Sequence, residues 1–311
     1  MKKVGKATIT LLLAACLLSA CTSGGNTGSQ AADKTPQPSA TAQSAAATAE
    51  TAASPAPEAT ATTATEATAS PETAPAASSG TDSPAAQPSS SASDAEVPLL
   101  YHMNKNYDIV PNDPATNKKV VLLTFDDGPK EAELINPLMD TLDKHKAKAI
   151  FFVNGYRVKE HPELLELIHN RGGVLGNHSW DHIVLKDKPE AEVKKQIEDV
   201  QNIVKEITGE TPNFFRPPHG AGGDVGKKIA AANGMLYMTW SNGSLDWEMK
   251  AKDTDKTSKL VSNVTSQLHS GSNILMHELP WTVEALDTLL TTLEGKGYSF
   301  VDPRSIELKM R

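Results

Sequence analysis

Val120-Val121-Leu122-Leu123-Thr124-Phe125-Asp126-Asp127-Gly128-Pro129 is an apolar run of strand length that ends on two adjacent carboxylates and a Gly-Pro turn. The layout recurs down the chain. Runs of strand length at Ala149 to Val153, Gly173 to Gly176, Asn213 to Arg216, Leu236 to Trp240, Asn273 to Met276 and Tyr298 to Val301 alternate with stretches of helical period. The latter are Leu134 to His145, Glu163 to Asn170, Pro189 to Ile207, Val225 to Asn233, Thr254 to Leu268 and Val283 to Lys296. Such alternation predicts an α/β fold, a parallel sheet with helices outside it. Groups rich in chemistry follow the strands: Asp126 and Asp127, Asn177 and His178, Pro217 to Gly220, Ser241 to Trp247, and His277. In a barrel of parallel strands these carboxyl ends converge on one face, whereas an open doubly wound sheet gathers them less completely.

The part of the 311-residue chain that can fold this way is bounded by composition. From Thr22 to Glu96 there is no Phe, Trp, Tyr, Ile, Leu or Met. Side chains so small and polar bury too little apolar surface to offset chain entropy. One globular domain, residues 98 to 311, is therefore expected after a disordered linker. Setting aside Lys2, Lys3 and Lys6, and the eight acids against Lys34 in residues 22 to 97, leaves −4 of the overall −8 on the domain. A mildly acidic domain without a basic block argues against nucleic acid as partner.

Residues 1 to 20 have a basic start, an apolar stretch from Ala7 to Leu18 and small residues before Cys21. The stretch is short for a permanent span and has the layout of a secretory signal, with an uncleaved anchor as the alternative. Leu18-Ser19-Ala20-Cys21 resembles the bacterial lipobox, in which the signal is cut before a cysteine that carries lipid. The cysteine count agrees, since Cys16 lies inside the apolar run and cleavage would leave Cys21 alone. Residues 21 to 97 then read as a lipidated cysteine and a tether with a root-mean-square span of about 50 Å. A tail without a role is the competing reading.

Taken singly, the polar groups are ambiguous. Asp126-Asp127-Gly128-Pro129 is ordinary turn sequence, and two histidines four apart are often packing or surface. Taken together, Asp127, His178 and His182 supply one carboxylate and two imidazoles. That set can hold a divalent ion, on a helical turn or a tight loop, and leave positions open for water and substrate. Asp126 would then be free to act as a base. Tyr101, His102 and Tyr107 are read as packing an amino-terminal extension, and His145, His161, His169 and His269 as solvated.

Thr124 to Pro129, His178-Ser179-Trp180-Asp181-His182, Arg216-Pro217-Pro218, Asp246-Trp247 and Leu275-Met276-His277 occur in the order of the five motifs of the polysaccharide deacetylases. These are the NodB-homology group, carbohydrate esterase family 4, and the resemblance covers about residues 118 to 303. It implies an irregular (β/α) barrel of about seven parallel strands. It also implies a metal-dependent hydrolase, with Asp127, His178 and His182 holding one divalent ion, usually Zn2+, with Co2+ among the alternatives. Asp126 resembles the general base and Arg216 the residue that orients it. His277 resembles the general acid, paired with Asp246. The His219 N–H, beside Pro218, resembles the oxyanion donor, and Trp247 and Leu275 the apolar walls for the acetyl methyl. Two positions depart from the pattern: His219 stands where many members have Tyr, and Gly243 where they have Asp.

The expected activity is removal of N-acetyl groups from a cell-wall polysaccharide, with peptidoglycan favoured because the chain reads as tethered outside the cell. Deacetylation of a chitin-type oligosaccharide, poly-N-acetylglucosamine or acetylated xylan is the alternative within enzymes. A weakly active lipoprotein that binds wall polymer is the alternative outside them. The expected setting is the extracytoplasmic face of the cell membrane of a Gram-positive bacterium, with the protein a monomer anchored through Cys21.

Overall fold

The computed structural model of the chain describes residues 97–311, so the signal segment, Cys21 and the tether lie outside the described residues. Two short strands, β1 (Tyr101–Met103) and β2 (Ile109–Pro111), precede the long β3 (Val120–Gly128) and helix α1 (Ala132–Lys144). Next come β4 (Ala149–Val153), α2 (Gly155–Glu160), α3 (Pro162–Asn170), β5 (Val174–Asn177) and α4 (Glu190–Thr208). The chain continues through β6 (Phe214–Phe215), α5 (Gly223–Ala232), β7 (Leu236–Tyr237) and β8 (Asn242–Gly243). It ends with α6 (Lys256–Ser266), β9 (Ser272–His277), α7 (Pro280–Gly295), β10 (Ser299–Phe300) and β11 (Ile306–Met310). No described helix is long and apolar enough to cross a membrane.

Seven strands lie in the order β7-β6-β5-β4-β3-β9-β8, every pair parallel, and β10 pairs with the start of β3. β7 and β8 are the two ends of this order, yet only five residue steps separate Tyr237 from Asn242. Those steps span at most about 18 Å, whereas the ends of a flat seven-stranded sheet stand about 29 Å apart. The sheet must therefore curl to bring its ends toward each other, as the expected irregular (β/α) barrel requires.

Side chains of alternate strand residues face opposite ways, which divides the core into two layers. Leu122, Ile150, Phe152 and Phe214 point into the barrel. Val121, Leu123, Phe125, Phe151 and Val153 point outward against Leu138, Leu165, Leu286 and Leu290 of the helices. Both faces of β3 are covered, which is why its sequence is continuously apolar.

Four strands, β1, β2, β8 and β11, were not expected from the sequence. β1 pairs with β2 and, in parallel, with β11, and Tyr101, Met103, Ile109 and Ile306 join the inner layer. This small sheet sits at the amino ends of the barrel strands, where Ile109 N–H donates to Gly271 O at 2.8 Å. Gly271 has φ +82, and a Cβ there would stand 2.2 Å from the Ile109 carbonyl oxygen. The carboxyl ends of the strands stay open. Tyr101 and Tyr107 do pack against this inner layer, as expected. The expected strand Leu236 to Trp240 stops at Tyr237, because the chain there leaves one end of the sheet for the other.

Candidate active site

Asp126 and Asp127 lie within β3, not beyond it as expected, and the strand is irregular there. Asp126 is opposite Phe152 of β4 and Gly128 opposite Val153, so Asp127 is an extra residue, a bulge. Its φ is +66, a left-handed conformation disfavoured for a side-chain-bearing residue. A bulge re-aims a side chain. Neighbours that would face opposite ways in a regular strand here approach one imidazole: His178 Nε2 is 3.7 Å from Asp126 Oδ2 and 3.4 Å from Asp127 Oδ1.

His178 follows β5 directly, and the loop to His182 turns through left-handed Ser179 (φ +66) and His182 (φ +54). The four-residue spacing thus works through a tight loop and not a helical turn. His178 Nδ1 is 2.7 Å from the Arg216 carbonyl oxygen. With its proton donated there, Nε2 presents a lone pair to the carboxylates. Asn154, fully buried, holds the loop by donating from Nδ2 to His178 O (2.9 Å) and Ser179 O (3.3 Å).

Asp127, His178 and His182 each offer one ligand atom, and these atoms lie within 4.8 Å of one another. Asp127 Oδ1 is buried without a hydrogen-bond partner, 3.0 Å from His182 Nε2. Burial alone would raise this carboxyl, but the adjacent His178 and His182 imidazoles hold it well below the usual carboxylate range. An anionic oxygen and two imidazole nitrogens aimed at one point are the donor set of a divalent ion with open positions, so these residues fit one.

Two charge pairs stand behind this centre. Arg216, fully buried, donates from Nη1 to Asp126 Oδ1 at 2.6 Å and to Thr124 Oγ1 at 2.8 Å. Its Nη2 donates to Thr239 O at 2.9 Å and Asn273 Oδ1 at 3.2 Å, and its guanidinium lies 4.4 Å from the Phe152 ring centroid. Asp246, also fully buried, has Oδ1 2.7 Å from His277 Nδ1. Asp246 Oδ2 accepts the His277 N–H and the Thr282 hydroxyl, both at 2.7 Å. His277 Nε2 therefore faces the centre, 4.0 Å from Asp127 Oδ2. Burial lowers the His277 imidazole, but Asp246 foremost, with Asp126 and Asp127, raises it above its ordinary value.

These groups open into a cavity of 260 Å³ that Asp126, Asp127, His178, His182 and His277 line together with His219, Trp247 and Leu275. Trp240, which the sequence reading did not single out, completes the wall. Arg216 and Asp246 act from behind it, and Pro218 is buried in the turn that carries His219 (φ +56). The His219 ring stands 4.8 Å from that of His182, and the Trp247 ring 5.6 Å from that of His277. Gly243 underlies Trp247: a Cβ there would stand 3.3 Å from the indole. A larger side chain in this position would crowd Trp247. A larger cavity of 520 Å³ beside β7 and β11 is lined by apolar residues, lysines and tyrosines, and holds no carboxylate or imidazole.

Beyond Asn154 and Trp240, reasoning from sequence missed Glu278, the residue after His277. Its carboxyl is fully buried and is pushed up to about 7 by that burial. Nothing in an acid at the end of a strand signals burial. One bland reading is corrected: the His145 side chain is only 6% exposed, with Nε2 2.8 Å from Asp287 and Nδ1 3.0 Å from Glu294, so it ties α1 to α7 instead of being solvated.

Residues 113–238 match the family model described as "Polysaccharide deacetylase". The peptidoglycan-N-acetylmuramic acid deacetylase PdaC of Bacillus subtilis is 36% identical over 192 residues, 61% of this chain and 39% of that protein. Its solved structure covers 60% of this chain and 88% of the solved chain at 35% identity, with a TM-score of 0.53. The peptidoglycan-N-acetylglucosamine deacetylase PgdA of Listeria monocytogenes is 39% identical over 188 residues, 60% of this chain and 38% of that protein. A pseudoenzyme of carbohydrate esterase family 4 from Bacillus anthracis matches 59% of this chain and 63% of its own, at 31% identity and a TM-score of 0.55. The chain spans about two fifths of the length of these two curated relatives.

Proposed function

Because the chain belongs to the polysaccharide deacetylase family, we propose that it is a metal-dependent hydrolase that removes N-acetyl groups from peptidoglycan. The observation that carries this reading is the convergence of Asp127, His178 and His182 within 4.8 Å, beside a second carboxylate paired with Arg216 and an imidazole paired with Asp246. The likeness to two deacetylases that act on peptidoglycan supports the substrate.

Asp127, His178 and His182 would hold the ion, zinc or another divalent such as cobalt. When bound, such an ion supplies Lewis acidity, polarising the acetyl carbonyl and making water acidic near neutral pH. Asp126, oriented by Arg216, takes a proton as the water oxygen bonds to the carbonyl carbon. The His219 N–H, in its left-handed turn, faces the oxygen that gains negative charge. Trp247 and Leu275 enclose the methyl, with Pro218 shaping the turn beside them. His277, held protonated by Asp246, gives its proton to the nitrogen as the carbon–nitrogen bond breaks, leaving a free amine and acetate.

Removing the ion with a chelator is expected to abolish acetate release from purified peptidoglycan, and zinc or cobalt to restore it. Undiminished release from a sample verified as metal-free would overturn the reading. The likeness to a pseudoenzyme, with the changes at His219 and Gly243, favours a second reading: a protein that binds wall polymer without turning it over. Binding of peptidoglycan by the zinc-loaded chain with no acetate released would decide for it.

The lipobox-like Leu18-Ser19-Ala20-Cys21 supports attachment through lipid at Cys21, on the outer face of the cell membrane. Cys21→Ala is expected either to appear in the medium or to retain its signal. A variant that is trimmed and kept on membranes like the native protein, as fractionation and mass spectrometry would reveal, rules the anchor out.

A further inference from the structure

Glu278 follows His277 at the end of β9 and is fully buried. Its Oε2 accepts the Lys130 N–H at 2.9 Å, and its Oε1 has no partner. Among the described residues no lysine, arginine or histidine side-chain nitrogen lies within 4.0 Å of it. A carboxyl so placed is costly to bury, and an apolar side chain of the same length would fill the space with less penalty.

What Glu278 touches is the strap that leaves the β3 bulge. At Gly128, the residue after Asp127, a Cβ would stand 2.0 Å from Glu278 Oε1, so the bare backbone lets the carboxyl lie against it. On its other side the strap is held by Asn154, whose N–H donates to Gly128 O at 2.9 Å. Asn154 is also the residue whose side chain holds the His178 loop. Asp127 is thus the turn between Asp126, still paired in the β3 ladder, and a strap held on one side by Asn154 and on the other by Glu278.

We propose that Glu278 is a positioning residue: by accepting the Lys130 N–H it fixes the Gly128–Lys130 strap, and with it the left-handed turn that aims Asp127 at His178 and His182. The inference rests on the reading of those three residues as metal ligands. Partners that hold ligands in place typically contribute ten- to a hundredfold to metal affinity.

The test compares zinc affinity, by competition with a chromophoric chelator, and melting temperature without metal, for the full chain and two variants. Glu278→Gln keeps a carbonyl acceptor for Lys130 N–H and is expected to bind zinc within about threefold of the native chain. Glu278→Met keeps the length without a strong acceptor. It is expected to weaken zinc about ten- to a hundredfold while melting at the same temperature or higher. A role confined to packing would lower the melting temperature and leave affinity untouched.

Native affinity in Glu278→Met overturns the inference, and so does Glu278→Gln as weak as Glu278→Met. Should Glu278→Met not fold, Gly128→Ala displaces the carboxyl from the strap side and is expected to show the same loss; native affinity there overturns the inference equally. A native chain that binds no zinc overturns the metal reading itself, and the inference with it.

Discussion

Asp126→Asn is expected to bind zinc within a few-fold of the native chain and to release acetate at least about a hundredfold more slowly, the typical contribution of a general base. The three ligands survive the change, while the side chain that would accept the proton does not. Asp127→Asn is expected to do the opposite in the first respect, weakening metal binding because a neutral amide replaces an anionic ligand, with high metal concentration restoring part of the activity. The two residues are adjacent in sequence and close to one imidazole, 3.7 and 3.4 Å from His178 Nε2. What separates them is what lies behind: Arg216 at 2.6 Å from Asp126, and no hydrogen-bond partner for Asp127 Oδ1. Metal content and acetate release measured on both variants decide the assignment. Loss of metal in Asp126→Asn with retention in Asp127→Asn reverses the roles, and full activity in both places the reaction elsewhere.

Arg216→Met is expected to destabilise the fold by about 3 to 5 kcal/mol, the usual cost of removing one partner from a buried ion pair. The pair is 0% and 3% exposed, so Asp126 would be left buried beside Thr124 without its cation. Adding Asp126→Leu is expected to recover a large part of that loss, since an apolar pair in place of an ionic one is often neutral or better. Urea unfolding of the metal-free single and double variants measures both. A single variant as stable as the native chain, or a double variant no better than the single, removes this account of the pair.

The sequence made the barrel legible where strands are continuous apolar runs, as in β3, β4 and β9, because burial on both faces leaves a compositional mark. The site was legible for a related reason: a reacting residue placed at the carboxyl end of such a run stands out. β1, β2 and β11 were hidden because their strands are short and partly polar, and because Tyr101 meets its partner Ile306 across nearly the whole domain. β8 is an Asn-Gly pair with little strand preference of its own, and exists because β9 offers it an edge. In sequence the bulge at Asp127 reads as a turn, since only the register with Phe152 and Val153 of β4 distinguishes the two. Asn154 and Glu278 act through single contacts with distant backbone, which no local pattern encodes.

Between β7 and β8, where the curled sheet comes round to meet itself, the two end strands do not pair with each other. That seam is fastened by side chains. Thr239 O, midway across it, accepts from Arg216 Nη2 and Asn273 Nδ2, and Ser241 exchanges hydrogen bonds with the Asn273 backbone. The next residue along the seam, Trp240, reaches the cavity wall. The guanidinium that steadies Asp126 is thus also one of the buttons that keep the cylinder shut, and Asn273 is another. Mechanical closure and chemistry share fasteners, so selection acting on either must pass through the other.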